Sequence, residues 1–145
     1  MYAAKSISEY VLTYCTQRGE PISNYKLQEM LYILWLDYYK KTKKELFCDT
    51  FSAWKIGPVV PDIYYEFCQY GGLPIFKRYD VSIDSPDSNI INEIIEHYLP
   101  KKVHELVKIS CHPKSPWAAV YQNGSGLRRP IPKSLIKKEG ERSDE

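Results

Sequence analysis

No stretch of this chain is apolar for long enough to cross a membrane as a helix. A spanning helix needs roughly 18 to 20 apolar residues, and the longest candidate, centred on Ile33-Leu34-Trp35-Leu36, is interrupted by Asp37. The N-terminus carries no basic segment followed by a hydrophobic stretch, so a secretory signal is not expected. The setting these absences predict is the cytoplasm. Charge of one sign is scarce as well. The net charge is +2, too small for the field of the whole molecule to attract nucleic acid. Phosphate-cradling loops are missing, because Gly71-Gly72 and Gly124-Ser125-Gly126 lack the strand-to-helix context and the lysine such loops require. Cysteine is sparse and unpaired: Cys15, Cys48, Cys68 and Cys111 form no C-x-x-C spacing. They read as small apolar residues of a reduced protein. A zinc site from Cys48, Cys68, Cys111 and His112 would lack the paired ligand spacing that zinc sites carry. No metal or other cofactor is expected.

Histidine is equally thin. His97 and His104 fall on surface-like helix positions, and His112 stands between Cys111 and Pro113. Adjacent residues point in different directions, whereas a catalytic Cys–His pair is brought together by the fold from distant positions. No catalytic residue is predicted, and the chain is not expected to be an enzyme. The basic residues Arg128, Arg129, Lys133, Lys137 and Lys138 are balanced by Glu139, Glu141, Asp144 and Glu145. They read as a solvated tail, and nucleic-acid binding is not expected.

What the chain does have is a globular composition, with 43% apolar and 26% charged residues in 145, enough for one domain with a real core. The domain is expected over 1–136, with a disordered charged tail over 137–145. Tyrosine is abundant, at 13 residues. Tyr combines a large apolar ring with a hydroxyl that needs a partner, so the excess fits either a binding surface or a core with wet edges.

Helical periodicity dominates. Ser6 and Glu9 form a capping-box pattern ahead of Tyr10, Val11, Tyr14 and Cys15. Ser23 is the expected cap of a helix running to about Lys40, apolar nearly all round and hence buried on several sides. Lys40, Lys41, Lys43 and Lys44 at its end offset the negative pole of the helix dipole. Extended chain is expected over 46–56, as a hairpin with Asp49-Thr50 near its turn. A helix follows over 61–70, started by Pro61 and ended by Gly71-Gly72. Ile90, Ile91, Ile94, Ile95 and Tyr98 stripe the next helix, Pro100 breaks it, and Ser115-Pro116-Trp117 opens a short late one. The prediction is a mainly α (α+β) fold: a compact bundle of about five to six helices around a central buried helix at about 23–40, with a small β-hairpin near 46–56.

The most informative stretch is Phe51-Ser52-Ala53-Trp54-Lys55-Ile56-Gly57-Pro58-Val59-Val60-Pro61. It reads as a short strand, a turn at Gly57-Pro58 and a helix start. Upstream stands Lys26-Leu27-Gln28-Glu29-Met30-Leu31-Tyr32; downstream come Tyr64, Tyr70-Gly71 with Pro74-Ile75, Leu106 through Ser115-Pro116-Trp117, and Ile131-Pro132. In this order over nearly the whole chain, the motifs resemble the Panacea domain family, also met as phage-associated GepA-like and SocA-like antitoxin proteins. Relatives often carry Thr-His shortly before Pro-Trp; here Ser110-Cys111 stand there, with His112 one place later.

The resemblance implies an antitoxin that binds and neutralises a cognate protein toxin. An alternative is a protein-interaction adaptor, serving a protease or modulating host machinery for a phage. Partner-binding residues are expected at Trp54, Ile56, Pro58, Val59, Tyr64 and Trp117, since interfaces concentrate their energy in aromatic anchors. Against this stands the reading of Trp54 and Trp117 as core residues where hairpin and helices meet. An unoccupied aromatic face could also support self-association.

Overall fold

The structure is a computed structural model that describes residues 1–142. Its helices are α1 (Ala4–Gln17), α2 (Asn24–Thr42), α3 (Pro61–Phe67), α4 (Asp87–Tyr98), α5 (Val103–Ser110), α6 (Pro116–Tyr121) and α7 (Lys133–Glu141). Strands β1 (Ser52–Trp54) and β2 (Gly57–Val59) pair antiparallel. The fold is mainly α with a small hairpin, as expected.

Helix α2 is the axis of the molecule. The Ser23 Oγ accepts from the Lys26 N–H at 3.2 Å, closing its N-terminus. Lys43, at φ 62°, ends it in the left-handed region. Leu27, Met30, Leu31, Ile33, Leu34 and Trp35 are all fully buried, because α1, α3, α4, α5, α7 and β2 surround the helix. A helix apolar on every side finds its partners only in such a position. Trp35 also satisfies its indole, whose Nε1 donates to the Phe47 carbonyl at 2.8 Å.

Three expectations are corrected. Ser6 does not cap α1: the helix starts at Ala4, and the Ala4 N–H donates to Asp49 Oδ1 at 2.9 Å. A residue distant in sequence thus meets the unpaired donor that every helix N-terminus carries. The hairpin lies at 52–59 rather than 46–56, and Lys55-Ile56 make its turn, not Asp49-Thr50 or Gly57-Pro58. Residues 47–49 instead pass under Lys133, whose Nζ reaches the carbonyls of Cys48 and Asp49 at 3.2 and 2.8 Å. The disordered tail expected from residue 137 is, as far as Glu141, part of α7. That helix packs on α2, with Ile136 and Gly140 buried. It raises the helix number above the five or six anticipated; residues 143–145 lie outside the described residues.

Tyrosine mostly serves the edge of the core. Tyr2 and Tyr38 both donate to Asp87, at 2.5 and 2.9 Å, and Tyr10 donates to Asn92 at 2.6 Å. Tyr14 donates to Glu96, and Tyr98 to Asp37 at 3.0 Å. These hydroxyls tie α4 to α1, to α2 and to the segment ahead of α1, each ring lying against apolar packing while its oxygen meets a polar group at the rim.

The run 26–29 also finds its roles here. The Lys26 ammonium donates to the carbonyls of Leu99 and Lys101 at 2.6 and 2.7 Å, where the end of α4 leaves carbonyls unpaired. Lys26→Met is therefore expected to lower stability by about 2 kcal/mol, from the loss of charge-assisted bonds. Urea midpoints of the two proteins measure it; equal midpoints would refute the assignment. Gln28 Oε1 accepts from the Val60 N–H at 3.0 Å, and Asn24 Nδ2 donates to the Tyr64 carbonyl at 3.0 Å, fixing the start of α3 against α2.

Candidate functional site

The two-residue turn at Lys55-Ile56 sets Trp54 opposite Gly57. Pro61 then starts α3 at once, which brings the rings of Tyr64 and Tyr65 to Trp54, with centroids 4.9 and 5.7 Å away. Arg128 completes the cluster. Its guanidinium carbon lies 4.8 Å from the Trp54 ring centroid, and its Nη1 donates to the Tyr65 hydroxyl at 3.0 Å. A cation over an indole face is held by the ring quadrupole. The guanidinium arrives through a strand-like segment. Arg128 N–H donates to the Ala53 carbonyl at 2.7 Å, and Ala53 N–H to the Arg129 carbonyl at 2.8 Å, so residues 128–131 cover the free edge of β1.

From α6, the Trp117 indole donates to the Trp54 carbonyl at 2.7 Å while its ring stacks on Tyr121. Trp54 is thus the meeting point of β1, α3, α6 and the 128–131 segment. Trp54, Ile56, Tyr64 and Trp117 are half-buried, Tyr65 is 50% exposed and Arg128 is exposed. Neither reading of the tryptophans stands whole: one side of each supports the fold and the other borders solvent. Two expected contact residues are corrected. Pro58 is buried and Val59 is fully buried, so neither is presented to a partner. The reason is that β2 is covered along its whole length, packed by β1, α2 and α5.

Tyr65 and Arg128 were missed by sequence reasoning. Tyr65 carried a signal: with Ile63 and Phe67 inward on α3, it falls about 200° round the helix from Ile63. Arg128 carried none, because only the pairing of 128–131 with β1 brings it here.

Beneath the hairpin lies a buried polar node. Glu29 is 1% exposed, and its Oε1 accepts from Ser110 Oγ at 2.5 Å. Burial is the main cause that pushes its carboxyl up to about 7, against a smaller opposing effect of the Ser110 bond. Burial likewise pushes the Cys111 thiol up to about 11, so at neutral pH it is no thiolate nucleophile. The neighbouring His112 turns away, its Nε2 lying 2.6 Å from Glu139 Oε2 on α7. His97 and His104 are exposed. Among the described residues, no group of three His, Cys, Asp or Glu side chains could hold a metal ion, and no helix is long and apolar enough to cross a membrane.

The model of the family "Antitoxin SocA-like, Panacea domain" matches residues 27–118, a span running from α2 through the hairpin and α3 into α6. Antitoxin SocA of Caulobacter vibrioides (strain NA1000 / CB15N) is 28% identical over 136 residues, covering 85% of this chain and 72% of that protein. No solved structure matches. With the matched span holding Glu29, Gly57 and the Trp54–Tyr64–Trp117 cluster, the chain belongs to the SocA-like antitoxin family of the Panacea domain.

Proposed function

We propose that this chain is the antitoxin of a toxin–antitoxin pair and neutralises its cognate toxin by direct protein contact, without catalysis of its own. Family membership supports an antitoxin-type role. The observation that carries the contact mechanism is the half-exposed cluster of Trp54, Tyr64, Tyr65 and Arg128. Tryptophan, tyrosine and arginine are the residue types that dominate binding energy at protein interfaces. Here they are already held against one another, so little side-chain freedom remains to be lost on binding.

The test is growth of cells expressing the open reading frame beside this gene, with and without the chain, together with co-purification. Rescue with a stable complex is the expected result. Tyr65→Ala combined with Arg128→Glu is expected to weaken that complex about 30-fold or more. Melting temperature should shift little, because both side chains lie at the surface. Rescue in which the toxin disappears rather than being held would replace occlusion by delivery for degradation. Wild-type affinity in the double variant would remove this face from the contact.

A further inference from the structure

We propose that the two clefts meeting at Ala119 of α6, one carrying Lys114 and Lys138 and the other Arg129, dock an acidic patch of the same protein partner, whose carboxylates surround a small apolar contact. This rests on the antitoxin reading above. It adds a second area beside the Trp54 cluster and names the chemistry of what sits there.

Residues 106–138 contain seven lysines and arginines and no aspartate or glutamate. In a chain of net charge +2 this is a concentration of one sign, and the fold decides where it shows. Lys133 is turned in on the carbonyls of Cys48 and Asp49, and Lys137 pairs with Glu45 at 2.7 Å. Lys108 stands apart on α5. The remaining four gather around α6. Lys114 and Lys138 line a cleft with Pro116, Ala119 and Leu135. Arg129 lines the second cleft, which shares Ala119 and includes Pro130 and Pro132. Arg128, next in the chain, lies over Trp54. All four cations are exposed, and none is within ion-pair distance of a carboxylate among the described residues.

The neighbouring carboxylates are engaged elsewhere. Glu139 lines the first cleft, but its two oxygens are held by His112 and Arg142, each at 2.6 Å. Glu141 accepts from the Tyr39 hydroxyl at 2.7 Å. On α3, Asp62 borders a separate cleft with Asp49 and Ser52, and Glu66 lies toward Tyr79.

Between the cations the surface is apolar and firmly held. Ala119, Pro130 and Pro132 are exposed, and Leu127 is 51% exposed. The Gly126 N–H donates to the Tyr121 carbonyl at 2.9 Å and the Ile131 N–H to the Phe51 carbonyl at 2.8 Å, with Ile131 itself buried. Arg128 stands at φ 68°, where a glycine would be relaxed, so the chain carries strain where it presents the guanidinium. A fixed surface keeps the ordering cost of binding low. Apolar ground flanked by uncompensated cations complements a protein surface that is apolar at its centre and acidic around it. A phosphate backbone would answer the cations but gain nothing from Leu127 and the prolines. The indole rings on which a base would stack are already engaged, by Arg128 and by Tyr121.

The experiment measures binding of the purified product of the adjacent open reading frame to wild type, to Lys114→Glu/Lys138→Glu and to Arg129→Glu, with Tyr65 and Arg128 left intact. Circular dichroism and melting curves first establish that the variants fold, and Lys114→Gln/Lys138→Gln replaces the reversed pair if it does not. The expected result is a fall of about 10-fold or more in affinity for each. Wild-type affinity should drop as salt rises from about 50 to about 200 mM, and the variants should drop less steeply. Lys114→Arg/Lys138→Arg, which keeps the charge, should bind as wild type does. Unchanged affinity in either charge-altered variant overturns this inference and leaves the antitoxin reading standing. Absence of any complex with wild type overturns both. Binding of the free chain to a labelled single-stranded or duplex oligonucleotide, lost in the same variants, would assign the surface to nucleic acid and overturn the inference as well.

Discussion

Gly57→Ala is expected to destabilise this protein by about 4 kcal/mol, a large share of the roughly 5–15 kcal/mol that holds a domain folded. Two costs combine. Gly57 has φ +126°, a region that residues with a Cβ rarely enter. A Cβ there would also stand 2.6 Å from Glu29 Oε2 and 3.2 Å from Cys111 Sγ. The carboxyl has little room to yield, because Glu29 is buried and its other oxygen is taken by Ser110. Backbone strain of about 1–3 kcal/mol and overpacking of a similar size then add. Urea denaturation of the two proteins measures the loss. Glu29→Ala in the Gly57→Ala background should restore part of it, since the two sites touch and their effects are not additive. An unchanged midpoint in Gly57→Ala would show that the hairpin does not rest on the carboxyl.

The same carboxyl makes stability depend on pH. In the unfolded chain Glu29 titrates near 4.5, and in the folded protein at about 7. Between those values the folded state holds a proton that the unfolded state has released. Stability therefore falls as pH rises from about 4.5 to about 7 and levels off above, by roughly 3 kcal/mol in all. Glu45 and Glu105 have lowered pKa values, through a hydrogen bond from Lys137 and one from the Lys102 backbone respectively. Their contribution is lost only at lower pH, as it falls through their folded values, so it does not mask the Glu29 window. Unfolding midpoints from pH 5 to 8 should slope downward in wild type and be nearly flat in Glu29→Gln. Parallel profiles would show that another group sets the slope.

The parts of the fold legible in the sequence are those fixed by neighbours a few residues away. Ser23 and Ser115 cap their helices through bonds to Lys26 and Ala118, and Pro61 and Pro116 open theirs. The stripe on α4 and the all-round apolar surface of α2 follow from periodicity. What escaped is set by distant partners. Asp49 looks like a turn residue until α1 is docked on it. α7 has few apolar positions, and it is held where Gly140 closes on Tyr39, whose Cδ2 would lie 2.9 Å from any Cβ there. The site divides the same way. The W-x-x-G-P motif and the tyrosine at 64 located its centre. A turn placed two residues late made Pro58 and Val59 look outward, and Arg128 belongs to a strand pairing that no local pattern announces.

The enclosure of α2 also has a consequence during synthesis. The face that α7 covers stays bare until the ribosome has added roughly a hundred residues beyond the end of α2. At synthesis rates of about 5–20 residues per second, that is on the order of 5–20 seconds for each molecule. Through that interval the central helix lacks its last wall, and a molecule released early, before Ile136 is in place, never acquires it. The time from the start of translation to a closed core is thus set by where in the gene α7 is written, and not by how fast the core packs.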